Sequence, residues 1–178
     1  LVAKSDFINP SKEKYRYTTH NNDVNDPGYQ KFVSPITSYV LSNLTQNAKG
    51  LDYGAGPGPV ITKLLRDQGY DITTYDPYFD NNQDALKREY DYIVCCEVME
   101  HFHDPAAEFK FLYNHLLPGG HLICMTDLFT EQLNFEKWYY KNDLTHVFFY
   151  HEDSLSFIKE NYGFRKLTVD NRLIVFEK

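Results

Sequence analysis

The segment Gly50-Leu-Asp-Tyr-Gly-Ala-Gly-Pro-Gly-Pro-Val60 constrains the fold more than any other stretch of the chain. Its start reads as a buried strand that stops at Asp52–Tyr53 and breaks into a glycine-dense turn. A helix then opens near Pro59 and continues as Val60-Ile-Thr-Lys-Leu-Leu-Arg66. A strand, a Gly turn and a helix N-terminus together offer bare backbone amides at the positive end of a helix, where a ligand can dock. The turn carries G-x-G-x-G (Gly54, Gly56, Gly58), with Pro59 where a dinucleotide fingerprint has its last Gly. That Gly permits close helix–strand packing under a pyrophosphate, so Pro59 argues against NAD or FAD.

Asp71-Ile-Thr-Thr-Tyr-Asp76 reads as a second strand ending in a carboxylate. An acid about 20 residues beyond such a turn accepts hydrogen bonds from a ribose diol. A ribose-bearing ligand with a zwitterionic tail on the Gly turn is therefore favoured. The stretches Leu51–Gly58, Asp76, Asp91-Tyr-Ile-Val-Cys-Cys-Glu-Val-Met-Glu-His101 and Leu117-Pro-Gly-Gly120 follow in order. They resemble the successive motifs of class I S-adenosylmethionine-dependent methyltransferases, over residues 28 to 178. The resemblance implies a Rossmann-like α/β fold with strand order 3-2-1-4-5-7-6, mostly parallel, with an antiparallel C-terminal strand. It also implies S-adenosyl-L-methionine as cofactor. Gly54, Ala55, Gly56 and Gly58 then serve its methionine part and Asp76 its ribose. Pro77, Tyr78 and Phe79 face the adenine, Cys96 and Glu97 lie near the methionyl or ribose portion, and Asp52 and Tyr53 stand at the same strand end.

The spacing bears on that layout. About fifteen residues separate Asp76 from the next strand at Asp91–Glu97, too few for a full extra strand and helix, so the third strand of the family order is expected short or absent. Tyr29–Leu44 reads as an amphipathic helix broken by Pro35. Asp104-Pro105 opens another, running past Leu116 to Pro118-Gly-Gly120. His121–Thr126 reads as a strand, Asp153–Asn161 as a helix stopped by Gly163, and Phe164–Val169 with Leu173–Phe176 as a closing hairpin. Residues 1–27 read as a polar arm with Asn21-Asn-Asp23 as a breaker, and 28–178 as the methyltransferase domain. Within it, 127–150 is an aromatic insertion expected to form the substrate lid. The arm residues Tyr15, Tyr17, His20 and Asn21 and the insertion residues Trp138, Tyr139 and Tyr140 are pocket candidates, with plain packing as the alternative.

Glu97-Val-Met-Glu-His101 is the second cluster. If the chain turns helically there, Glu100 and His101 share the face of Glu97. With His103 just beyond and His146 descending from the insertion, two carboxylates and imidazoles suit Mg²⁺ or another divalent metal held by Glu97, Glu100, His101 and His146. The E-x-x-E-H run resembles that of methyltransferases acting on ubiquinone precursors. With the distant His it also resembles the small-RNA 2′-O-methyltransferases. A metal-free alternative makes His101 or His146 the general base, with Glu100 beside them.

A formal charge of −7 gives no electrostatic help toward nucleic acid or anionic membranes. The expected partner is a small-molecule acceptor methylated on oxygen, with RNA 2′-O-methylation or a non-catalytic cofactor-binding module as rivals. Three cysteines in apolar runs read as buried thiols of a reducing compartment. No signal peptide or membrane-spanning run is visible, which points to the cytoplasm. Since the first residue is Leu1 rather than Met, a few preceding residues are expected.

Overall fold

Apolar side chains on successive residues of the strands point to opposite faces, so a strand buried on both sides reads as a continuous apolar run. Tyr92 and Val94 pack on one face with Ile93 and Cys95 on the other, all wholly buried. The computed structural model describes residues 1–20 and 23–178. Its sheet contains β1 (Lys49–Tyr53), β2 (Asp71–Tyr75), β3 (Tyr90–Cys96), β4 (Leu116–Met125), β5 (Lys166–Asp170) and β6 (Leu173–Glu177). The order is β2-β1-β3-β4-β6-β5, parallel from β2 to β4, with β6 antiparallel to both of its neighbours.

One face is covered by α2 (Pro27–Asn43) and α3 (Val60–Asp67), which bring Val33, Ile36, Val40, Ile61 and Leu65 onto Ile72, Tyr92 and Val94. The other is covered by α4 (Pro105–Asn114) and α5 (Glu152–Tyr162), which set Phe109, Leu112 and Leu155 against Leu51, Ile93 and Phe176. A Cβ on Gly50 would lie 2.2 Å from Cζ of Tyr92, so only glycine leaves room for that ring against β1.

The third strand of the family order, expected short or absent from the spacing, is absent among the described residues. Between β2 and β3 the chain makes a bridge from Asp76 to Asp80 and a 3-10 helix at Ala85–Lys87. The sheet is the family order without that strand. Local chemistry moves several boundaries. α2 begins at Pro27, because the Asp26 carboxylate accepts the Tyr29 N–H at 2.6 Å and Pro27 suits the first turn. It runs through Pro35 without stopping. α4 is capped by Asp104 as expected, its carboxylate accepting from Ala107, but ends at Asn114. Leu116–Gly120 belongs to β4, not to the helix, and bulges between the pairs Tyr90–Leu116 and Tyr92–His121, with Gly119 at φ 78°. Gly163, at φ 82°, stops α5. Phe164 precedes β5 and packs in the core, and Asn171-Arg172 forms the two-residue turn into β6, with Asn171 at φ 53°.

Within the arm, a 3-10 turn at Lys4–Asp6 precedes α1 (Pro10–Thr18), whose Asn9 cap accepts from Lys12. The breaker residues Asn21 and Asn22 lie outside the described residues. Residues 127–150 hold two 3-10 turns, Phe135–Lys137 and Tyr139–Asn142. Cys95 and Cys124 are buried free thiols, whereas Cys96 is partly exposed, which corrects the reading of three buried thiols. Among the described residues no helix is long and apolar enough to cross a membrane.

Candidate functional site

Parallel strands that end together leave a crevice beyond their carboxyl ends. Here the ends of β1, β2 and β3 open into a cavity of about 730 Å³. The Gly turn forms one side. Gly54 (φ 81°) and Gly56 (φ 64°) adopt backbone that L-residues avoid, and a Cβ on Gly54 would meet Cγ2 of Val98 at 2.5 Å. The N–H groups of Gly54 and Ala55 both donate to the Tyr75 carbonyl, at 2.8 and 3.1 Å, which folds the turn against the end of β2.

Asp76 closes this arrangement. One carboxylate oxygen accepts the Gly56 N–H at 3.0 Å, and the other accepts Tyr78 N–H at 2.8 Å and Phe79 N–H at 3.0 Å. The residue placed by sequence at the ribose thus also ties two loops together. Tyr53, Gly54, Ala55, Gly56, Asp76 and Pro77 line the cavity, as do Tyr78, Phe79, Cys96 and Glu97. Asp52 and Gly58 do not.

Asp52 is buried and accepts the Thr62 hydroxyl at 2.7 Å, linking β1 to α3 from beneath the turn. Burial pushes its carboxyl up to about 6, against the lowering by Thr62. A folded pKa above the ordinary 3.8 means that this group's stability contribution is full below pH ~4 and lost as pH rises through about 6. Asp52→Asn keeps an acceptor for Thr62 and should stabilise the fold by about 2–3 kcal/mol at pH 7.5 but hardly at pH 4. Urea unfolding at the two pH values checks this. A variant no more stable than the parent at pH 7.5 would rule the account out.

The opposite side is built from the loop after β3. Glu97 has φ 53°, an uncommon conformation for a side chain of its size. Its Oε2 accepts from Arg172 at 2.6 Å and from the Tyr140 hydroxyl at 3.2 Å. Oε1 of Glu97 and Nε of Arg172 are buried without a partner. Because of that turn and the 3-10 helix Met99–His101, Glu97, Glu100 and His101 do not share one helical face as the spacing suggested. Glu100 is wholly buried behind the cavity wall, where its carboxylate accepts from Tyr140 and, at 3.1 Å, from Thr126. Burial raises the pKa of both glutamates.

His101 and His146 both line the cavity, with ring centroids 4.9 Å apart. Nδ1 of His101 lies 2.9 Å from the Thr145 carbonyl and Nδ1 of His146 lies 2.7 Å from the Tyr140 carbonyl. A nitrogen facing a carbonyl must carry the proton, so Nε2 of each ring keeps its lone pair. Burial lowers both pKa values, that of His146 to about 4, which keeps the rings neutral at pH 7. One ligand atom each from Glu100, His101 and His146 lies within 4.8 Å of the others. Glu97 stands outside that group.

The aromatic candidates divide. Tyr17, His20, Tyr139 and Tyr140 line the cavity, as does His103. Trp138 does not: it is buried against Phe129, Phe135, Tyr140 and Phe149, with its indole N–H on Asp127. Tyr15 points to solvent, and Asn21 lies outside the described residues. Sequence reasoning passed over Glu13, Arg16 and Arg172. Arg172 was hidden in a turn tripeptide, and Glu13 in a polar arm. Only the pairing of Arg172 with an acid at a strand end could have signalled its role.

Comparison with known proteins bears on this geometry. A family model described as a methyltransferase domain matches residues 28–169. A ubiquinone biosynthesis O-methyltransferase of Serratia proteamaculans is 30% identical over 77 residues, covering 43% of this chain and 32% of the relative. The match thus spans about a third of that relative's length. The 1,6-didemethyltoxoflavin-N1-methyltransferase of Burkholderia thailandensis superposes with a TM-score of 0.66 at 14% identity, over 94% of this chain and 86% of the other. A SAM dependent methyltransferase from Archaeoglobus fulgidus gives 0.64 at 16% identity, over 84% and 94%. At such identities the two structures speak to the fold alone.

Proposed function

The chain belongs to the methyltransferase domain family and has the class I S-adenosylmethionine-dependent methyltransferase fold, and from that premise we propose that it moves the methyl group of S-adenosylmethionine to an oxygen of a small-molecule acceptor, with a divalent cation held by Glu100, His101 and His146. What carries the reading is one cavity with two differently equipped sides. The Gly turn and Asp76 make a ribose-and-zwitterion cradle; His101 and His146 line the same cavity, with Glu100 buried behind the wall and within 4.8 Å of their ligand atoms.

The donor set suits a cation. Each imidazole is anchored through Nδ1 at a backbone carbonyl, the outer-shell arrangement that orients a histidine ligand, and Tyr140 and Thr126 hold the Glu100 carboxylate. One carboxylate with two neutral imidazoles accommodates Mg²⁺, Mn²⁺ or Zn²⁺. When bound, the ion polarises acceptor oxygen and lowers a hydroxyl pKa. The protein's own part is to hold the donor in line and to turn the Nε2 lone pairs of two neutral imidazoles toward the acceptor side, where they would hold the ion. Tyr17, Tyr139 and Tyr140 line the cavity there.

An RNA acceptor has less support. Arg16 is the single Lys or Arg among the described residues lining the cavity, and it is engaged by Asp143 at 2.8 Å, leaving no cation for a phosphate. Calorimetric titration with S-adenosylhomocysteine, then with Mn²⁺ and Mg²⁺, tests the proposal together with labelled methyl transfer to small acceptors bearing adjacent oxygens. Uptake of the adenosyl compound and of one ion per chain is expected. Failure of the first sinks the cofactor assignment; success of the first without the second sinks the metal.

A further inference from the structure

Helix α1 lies upstream of residue 28, where the family match begins, yet Glu13, Arg16 and Tyr17 line the cavity. Its composition does not explain why it stays there. Glu13 is the one buried residue of the helix, and it is a carboxylate. No apolar side chain of α1 is buried, so the helix is seated without the burial that normally docks an amphipathic helix.

Polar ties take that place, and they reach both sides of the cavity. Glu13 accepts the Tyr17 hydroxyl at 2.7 Å within the helix and the Tyr78 hydroxyl at 2.9 Å from the loop after β2. Arg16 donates through Nε to Asp143 at 3.0 Å and pairs with it through a terminal nitrogen at 2.8 Å. Asp143 belongs to the segment that supplies His146. Tyr17 meanwhile sets its ring edge-on to His101, with centroids 5.3 Å apart.

We propose that α1 is a lid over the cleft, latched to the adenosyl side by Glu13 through Tyr78 and to the acceptor side by Arg16 through Asp143, and that its opening gates exchange of the adenosyl compound. The proposal rests on the reading of this cavity as the cofactor cleft. Lifting α1 frees the part-buried ring of Tyr17 from Tyr78 and His101 but exposes no wholly buried apolar side chain of the helix, and water replaces each broken hydrogen bond. The open form is therefore within easy thermal reach, as expected of elements that move to admit ligands. Because one helix carries both latches, release of either side loosens the other.

The test measures binding and release rates of S-adenosylhomocysteine on the full chain by stopped flow, using the single tryptophan, Trp138, whose ring packs 5.3 Å from the cavity-lining Tyr140. Arg16→Ala and Glu13→Ala are each expected to accelerate association and release at least fivefold, so that affinity changes less than either rate. Arg16 is informative because it acts from the acceptor side, and its side chain is 45% exposed, so its loss leaves the fold intact even should Glu13→Ala not fold. Rates within twofold of the parent in Arg16→Ala overturn the lid, as does faster release with unchanged association, which would mark a contact rather than a gate. A parent that binds no S-adenosylhomocysteine overturns the cofactor reading and the lid with it, whereas binding with unaltered rates removes the lid alone.

Discussion

His101→Ala is expected to lower methyl transfer about a thousandfold, roughly 4 kcal/mol in barrier height, while the dissociation constant for S-adenosylhomocysteine stays within twofold. The expectation follows from how the ring is held. Its Nδ1 proton is committed to the Thr145 carbonyl, and burial lowers its pKa, so at pH 7 the Nε2 lone pair is available in the cavity. His146 is prepared in the same way 4.9 Å away. Removing one imidazole takes away either a ligand of the cation or the acceptor for the substrate proton. The Gly turn and Asp76 across the cavity are untouched. Titration of the variant with Mn²⁺ should also show weakened uptake. Activity within tenfold of the parent would deny His101 any part in the chemistry.

Gly54→Ala should act on the other half, weakening S-adenosylhomocysteine binding by a few hundredfold, about 3–4 kcal/mol. Two penalties combine. Alanine at φ 81° costs about 1–2 kcal/mol, and its Cβ would stand 2.5 Å from Val98, an overpacking cost of about 1–3 kcal/mol. Relief must come from the turn or from the loop carrying Glu97 and His101, because these are the pieces in contact. Either movement pulls Gly54 and Ala55 from the Tyr75 carbonyl and disturbs the Asp76 clamp. Calorimetry on the folded variant decides it; affinity equal to the parent's would mean that the turn is not the cradle.

Much of this cradle was legible from sequence because local rules govern it. Glycines at a strand-to-helix break demand positive φ, and the acid at the end of the next strand falls at a set spacing, so Gly54, Gly56 and Asp76 could be placed together. The missing strand followed from counting residues between Asp76 and Asp91. What local rules could not supply was depth. Glu100 is as polar as Glu97, and only the packing of Tyr140 and Thr126 over it makes it wholly buried. Trp138 was weighed as a stacking platform by residue type, but the ring faces inward among Phe129 and Phe149. Glu13 was invisible because α1 buries nothing apolar, and periodicity detects helices by the oil they hide.

The position of β6 has a consequence for biosynthesis. It is the last strand of the described chain in sequence but an interior one in the sheet, inserted between β4 and β5. The turn leading into it also carries Arg172 to Glu97. A ribosome adding roughly 5–20 residues per second therefore exposes β5 before its only sheet neighbour has emerged. A nascent chain stalled near residue 165 would hold an unpaired β4 edge and a Glu97 without its guanidinium partner, a form suited to chaperone capture.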